Sequence, residues 1–253
     1  MALVRVDFFS EVLEVGTSMT VLLPQASEEQ IGMGGTATTT DFPVLYLLHG
    51  LSDDSTAWLR YTSIERYAAP LGLAVVMPQV QRSFYADEAH GERFFTFLSE
   101  ELPEVVARFF RVSQRREDTF VAGLSMGGYG ALKWALHQPE RFAAAASLSG
   151  ALDVVALSRL DERAPLFERV HGGRIGPGDD LFVLLDAADV DTLPSVFVGC
   201  GTEDHLYDGS VRFLDAATAA GLDVHVDFRP GEHEWGIWDA MISDVLAWLP
   251  LSR

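Results

Sequence analysis

Apolar positions along the chain fall into two alternating spacings. Val44–Leu48, Leu73–Met77, Thr119–Ala122, Phe142–Leu148 and Ser195–Gly199 are short, nearly continuous apolar runs. Runs of that kind suit strands buried on both faces of a parallel sheet. Asp223–Phe228 reads as one further strand. Between the runs, Thr56–Ala69, Arg93–Phe110, Met126–His137, Gly209–Ala220 and Trp235–Trp248 carry apolar residues at helical spacing, with a bend expected at Pro103. Strands that alternate with helices predict an α/β domain with a mostly parallel central sheet and helices on both faces. The amino-terminal stretches Leu3–Val15 and Met19–Leu23, split by Gly16-Thr17, predict an antiparallel pair. Gln25 to Asp41 has no period and reads as a loop. Residues 151–192 mix short helical patterns with Asp, Gly and Pro, and predict a small helical cap inserted into a single domain spanning 1–253.

Composition narrows this picture. In 253 residues, 48% are hydrophobic and 22% charged, the proportions of a packed globule rather than a disordered, collagen-like or coiled-coil chain. One cysteine cannot form an internal bridge, so no disulfide scaffold is expected. There are 37 acidic residues against 18 basic ones, giving a formal charge of −19, and Lys133 is the only lysine. Such a surface repels phosphate backbones and anionic lipid, so neither nucleic acid nor membrane is an expected partner. Met1 to Val15 sets Arg5 against Asp7, Glu11 and Glu14, unlike a secretory signal. No apolar run approaches the roughly 18 residues of a membrane span. A cytoplasmic location follows as the expectation.

The chemistry concentrates after the strands, where open α/β sheets build their sites. Thr119–Ala122 runs into Gly123-Leu124-Ser125-Met126-Gly127, a G-x-S-x-G at a strand-to-helix junction. Small flanking residues let the chain turn sharply and expose the serine oxygen at a helix amino terminus. A serine hydroxyl needs a base, and the base needs an orienting group. In this arrangement the acid and the histidine follow the serine in that order. Ser195–Gly199 ends in Cys200-Gly201-Thr202-Glu203-Asp204-His205, so Asp204, with Glu203 second, is the expected acid. Asp223–Phe228 is followed by a loop containing His233, the expected base. His205 sits too close to the acid turn, His225 lies within a strand, and His137 ends a helix. Two backbone N–H groups, of Met126 and of Leu51 in His49-Gly50-Leu51, are the expected oxyanion donors, with Gly50 supplying an unusual backbone angle. Trp58, Tyr129 and Trp235 are expected pocket walls.

Other chemistries find little support. Gly32-Met33-Gly34-Gly35-Thr36-Ala37 matches a dinucleotide-binding pattern formally, but no strand leads into it and a Thr-rich coil follows. There is no zinc or P-loop motif, and Cys200 reads as a small buried residue. No metal and no cofactor are expected.

Several stretches also carry a family resemblance: Tyr46 to Asp54, Val76-Met77-Pro78, Arg82-Ser83-Phe84-Tyr85, Ser99 to Pro103 and Gly123 to Gly130. Together they resemble the esterase D group of α/β-hydrolases, most closely its bacterial tributyrin esterase branch. S-formylglutathione hydrolases, feruloyl and acetyl-xylan esterase domains and mycolyltransferase antigens are cousins. The resemblance implies the α/β-hydrolase fold, a nucleophile at Ser125, an acid at Asp204 rather than Glu203, a base at His233, and donors at Leu51 and Met126. It further implies hydrolysis of small short-chain acyl esters without a cofactor, commonly by a homo-oligomer. Thioester hydrolysis, acyl transfer and a catalytically silent binding protein are the alternatives.

Overall fold

The computed structural model describes residues 1–251. Strands β1 (Ala2–Ser10) and β2 (Val15–Leu23) form an antiparallel hairpin, paired from Ala2↔Leu23 to Ser10↔Val15. The turn occupies residues 11–14, not the Gly16-Thr17 that sequence reasoning favoured. A distant carboxylate decides this. Glu101 accepts the backbone N–H of Glu11 at 2.7 Å and of Val12 at 3.4 Å, and also the Ser10 hydroxyl. Gly16 is left inside β2, paired with Phe9.

Strand β3 (Val44–Leu48) follows the coil, then helices α1 (Ala57–Tyr61) and α2 (Ile64–Ala68) and strand β4 (Ala74–Pro78). The single helix expected over 56–69 is thus two. Thr62 breaks it in an extended conformation: its hydroxyl donates to Trp58 O and accepts the Ile64 N–H, while Asp239 takes the Ser63 N–H at 2.7 Å. Helices α3 (Phe94–Thr96) and α4 (Leu102–Phe109) are joined by a wide turn over Phe97–Glu101. Pro103 has no N–H to offer Ser99 O, which instead accepts from Arg141 at 3.4 Å. The remainder runs β5 (Thr119–Leu124), α5 (Met126–His137), β6 (Ala144–Leu148), α6 (Val154–Ser158), α7 (Ala164–His171), α8 (Leu181–Ala187), β7 (Ser195–Gly201), α9 (Tyr207–Ala220), β8 (Val224–Arg229) and α10 (Trp235–Trp248).

The eight strands of the described residues form one sheet in the order β1-β2-β4-β3-β5-β6-β7-β8. The first two pairings are antiparallel and the other five parallel. Alternate strand residues feed opposite faces, as the pleat requires. Val44, Tyr46, Leu48 and Val121 join the core under α5, while Leu45, Leu47, Phe120 and Ala122 join the core under α10. Among the described residues no helix is long and apolar enough to cross a membrane. From β3 the chain passes to β4 on one side, whereas β5 lies on the other. The crevice between β3 and β5 is therefore a switch point, the position where α/β sheets bind ligands.

Candidate active site

Leu48 of β3 pairs with Gly123 of β5, so the two strands end side by side. The chain leaving β5 turns at Ser125 with φ 53° and ψ −119°. A non-glycine residue there is strained, and neighbours hold it. Ser125 N–H donates to Leu148 O at 2.9 Å, and Ser125 O accepts from Ala151 and Tyr129. The two flanking glycines are needed for close approach. A Cβ on Gly127 would sit 2.4 Å from Leu48 O, and one on Gly123 would sit 2.3 Å from Gly127 O. The turn thus aims Ser125 into the crevice at the amino terminus of α5.

Three side chains meet there. His233 Nε2 lies 3.1 Å from Ser125 Oγ, and its Nδ1 lies 2.8 Å from Asp204 Oδ2. With Nδ1–H donating to the carboxylate, Nε2 is left to accept the serine hydroxyl. Asp204 is buried, and its other oxygen accepts the Leu206 N–H at 2.8 Å. Burial pushes the Asp204 carboxyl up, but the His233 ring and the Leu206 N–H outweigh it and hold it below the ordinary carboxylate range. Glu203 does something else: exposed, it accepts the Gly231 N–H and so clips the acid turn to the histidine loop. Thr202 N–H and Glu203 N–H reinforce the clip through Arg229 O and Gly231 O. His205 comes close in space despite its sequence position, with its ring 4.7 Å from that of His233.

The β3 side of the crevice is fixed by groups that sequence reasoning left unassigned. His49 is buried, which lowers its pKa and keeps it neutral. Its Nδ1 contacts Gly50 O at 2.8 Å and its Nε2 accepts the Val80 N–H at 3.2 Å. Tyr85 donates its hydroxyl to His49 O, and Trp58 donates Nε1–H to Leu48 O. Leu51 N–H makes no hydrogen bond among the described residues. Met126 opens its helix, where no preceding turn offers an acceptor. Gly50 does not use the left-handed region expected of it. It is needed for space, because a Cβ would stand 2.6 Å from Asp53 Oδ2 and 2.8 Å from Leu124 Cδ1.

A cavity of about 750 Å³ opens over Ser125. Trp235 and Trp238 wall one side, and Leu157, Leu160 and Phe167 of the 151–171 segment roof it. Of the three expected pocket walls, Trp235 lines the cavity and Trp58 and Tyr129 do not. Trp58 is spent on Leu48 O and meets Trp235 edge to face from behind, 5.4 Å away. Tyr129 is fully buried, with its hydroxyl donating to Asp179 O at 2.7 Å. Trp238 was missed, although it follows Trp235 by three residues and so shares a helix face with it. Of the expected cap, α8 does not reach the cavity; it packs against α5 and α9. Behind the cavity, Lys133 Nζ, buried in α5, donates to Asp179 Oδ1 and Tyr85 O, and His171 at the end of α7 lies 3.4 Å from Asp179 Oδ2. Two arginines, Arg82 and Arg163, also line the cavity, as does Asp53, whose carboxyl burial and neighbouring Asp54 push up. Cys200 is buried beneath the site with its thiol pushed up to about 11 by burial, which makes it a poor nucleophile.

The model of the Esterase family, described as putative esterase, matches residues 10–249. The chain belongs to this family. The esterase is 28% identical to the acetyl esterase of Caldicellulosiruptor saccharolyticus over 98% of each chain. Its structure superposes on the fluorophosphonate-binding serine hydrolase FphF of Staphylococcus aureus with a TM-score of 0.89, at 34% identity and 99% coverage of both chains. The S-formylglutathione hydrolase FrmB of the same organism gives 0.85, also at 34% identity, over 98% of both. The fold is the α/β-hydrolase fold, of esterase D type, and the protein is a serine esterase acting on carboxylic esters.

Proposed function

We propose that the protein is a serine carboxylesterase that hydrolyses short-chain acyl esters through an acyl-enzyme, with Ser125, His233 and Asp204 as its triad. The observation that supports this reading is the unbroken chain of contacts Ser125–His233–Asp204, at 3.1 and 2.8 Å, whose first two members line the cavity. Ser125 Oγ attacks the ester carbonyl carbon while His233 Nε2 takes its proton. Asp204 keeps the Nδ1–H tautomer in place and stabilises the imidazolium that forms. The carbonyl oxygen gains negative charge and is met by the N–H groups of Leu51 and Met126. One such donor is typically worth about 100- to 1000-fold in rate. His233 then protonates the leaving alcohol, water attacks the acyl-enzyme with His233 as base, and the carboxylic acid departs. None of these steps calls on a metal or cofactor.

Short acyl groups fit the similarity to an acetyl esterase and the aromatic wall of Trp235 and Trp238. A series of p-nitrophenyl esters tests this: rates should fall steeply beyond butyrate, and flat rates from two to twelve carbons overturn it. Thioester hydrolysis is the second reading, favoured by the FrmB similarity and by Arg82 and Arg163 at the cavity, where leaving-group carboxylates could pair. Turnover of S-formylglutathione against acetyl esters separates the two. Self-association into a homo-oligomer belongs to the same proposal, and sedimentation of a monomer overturns it.

A further inference from the structure

One histidine at the cavity has no part in the proton relay. His205 follows Asp204 directly, its side chain is 60% exposed, and it lines the cavity wall. Its Nδ1 stands 3.5 Å from Asp204 Oδ1, beyond good hydrogen-bond distance. Among the described residues, neither of its ring nitrogens makes a hydrogen bond. Across the same carboxylate, His233 Nδ1 lies 2.8 Å from Asp204 Oδ2. One buried carboxylate therefore has an imidazole nitrogen beside each oxygen. A donor atom from each of the three residues falls within 4.8 Å of the other two.

Two imidazoles and a carboxylate form a donor set for zinc, at bond lengths of roughly 2.0–2.2 Å. Magnesium and calcium prefer oxygen alone. Tetrahedral bonds of that length separate neighbouring donors by about 3.4 Å, so His233 Nδ1 and Asp204 Oδ2, now 2.8 Å apart, must part slightly while the longer separations, up to 4.8 Å, close. His205, the exposed member, is free to turn inward, whereas Asp204 is anchored by the Leu206 N–H. The formal charge of −19 raises the local concentration of cations around the molecule.

We propose that Asp204, His205 and His233 form a site for zinc(II) whose occupancy switches the enzyme off. The metal accepts the lone pair of His233 Nδ1, the atom that must carry a proton in the relay. The ring proton passes to Nε2, so the ring stays neutral and Nε2 donates to Ser125 Oγ instead of accepting from it. Ser125 keeps its hydrogen and does not attack. The cation also takes up the Asp204 charge that would otherwise stabilise an imidazolium. The effect on rate rests on the proposed triad; the binding of zinc does not.

The test titrates zinc into the whole chain in a non-coordinating buffer. Binding is read by displacement from a chromophoric chelator, and p-nitrophenyl acetate hydrolysis is read in parallel, each variant being normalised to its own metal-free rate. One zinc should bind per chain, inhibit, and be reversed by EDTA, while magnesium at the same concentrations has no effect. Loss of even an outer-shell partner weakens metal sites about 10- to 100-fold. His205→Ala should therefore weaken zinc binding at least about 10-fold and shift the inhibition midpoint equally. His205→Phe, which keeps an aromatic ring against His233, should do the same. Ser125→Ala should bind zinc as tightly as the unaltered protein. Zinc affinity weaker than about 1 mM, or unchanged affinity in both His205 variants, overturns the proposal. Residual esterase activity in Ser125→Ala would instead overturn the triad, leaving the binding result to stand by itself.

Discussion

In an Asp204→Asn variant the side chain keeps its shape and loses its charge. One carboxylate oxygen now accepts the Leu206 N–H at 2.8 Å, and the amide oxygen will hold that bond. Its NH₂ group then faces His233 Nδ1, where the carboxylate accepted at 2.8 Å. Two donors cannot face each other, so the ring proton moves to Nε2 and points at Ser125 Oγ, 3.1 Å away. The base is present but carries its proton on the wrong nitrogen. The same substitution in a serine protease triad lowers kcat about 10⁴-fold, which corresponds to about 5.4 kcal/mol of transition-state stabilisation. Stability should change far less. Two charge-assisted bonds become neutral ones, a loss of about 2 kcal/mol, or roughly 4–8 °C in Tm for a domain of this size. Stopped-flow release of p-nitrophenol from p-nitrophenyl acetate measures acylation, and a circular dichroism melt measures the fold. Glu203→Gln is the control, because Glu203 only clips two loops, and it should retain kcat within about tenfold. Retention of more than a tenth of kcat in Asp204→Asn, or an equal loss in Glu203→Gln, would refute the tautomer argument.

Three further outcomes follow from the same geometry. Tyr85→Phe leaves the buried His49 carbonyl without its donor, at a cost of about 1–3 kcal/mol; the melt should fall, and kcat should drop more than KM changes because the Leu51 loop loosens. Gly127→Ala pushes a Cβ to 2.4 Å from Leu48 O; overpacking of this kind costs about 1–3 kcal/mol, and both Tm and fluorophosphonate labelling should fall. Lys133→Met takes the buried ammonium from Asp179, leaving it His171, and breaking a buried pair costs about 3–5 kcal/mol, roughly 6–20 °C in Tm. The pH dependence of stability has a definite sign. Burial raises the Asp179 carboxyl, but His171 and Lys133 hold it well below the ordinary range. A carboxyl lowered in the folded state stabilises fully above its unfolded value and loses that contribution as pH falls through the folded one. Tm should therefore hold above about pH 5 and decline below about pH 4, and the decline should be shallower in Asp179→Asn.

How much of this was legible in the sequence varied with the range of the forces involved. The buried strands and α5 and α10 were readable because apolar periodicity is written locally. Ser125 was readable for the same reason, since strand, glycines and helix lie within a dozen residues. Asp204 and His233 could be named from their places after successive strands, although only the fold brings them within 3 Å of each other. What escaped were features decided at a distance. Glu101 moves the first hairpin turn, and Asp239 helps break the helix over 56–69. Trp58 and Tyr129 were aromatic residues near the right motifs, but each polar atom is committed to a backbone carbonyl behind the cavity. Gly50 was read as a conformational need when it is a spatial one, set by Asp53 and Leu124. No local pattern announces those contacts.

The proposed chemistry acylates one serine and relies on one histidine to make it reactive. Intact-protein and peptide mass spectrometry after treatment with a fluorophosphonate tests it directly. A single adduct per chain is expected, on Ser125, abolished in Ser125→Ala and slowed by orders of magnitude in His233→Ala. Labelling of any other residue, or undiminished labelling after loss of His233, would contradict it.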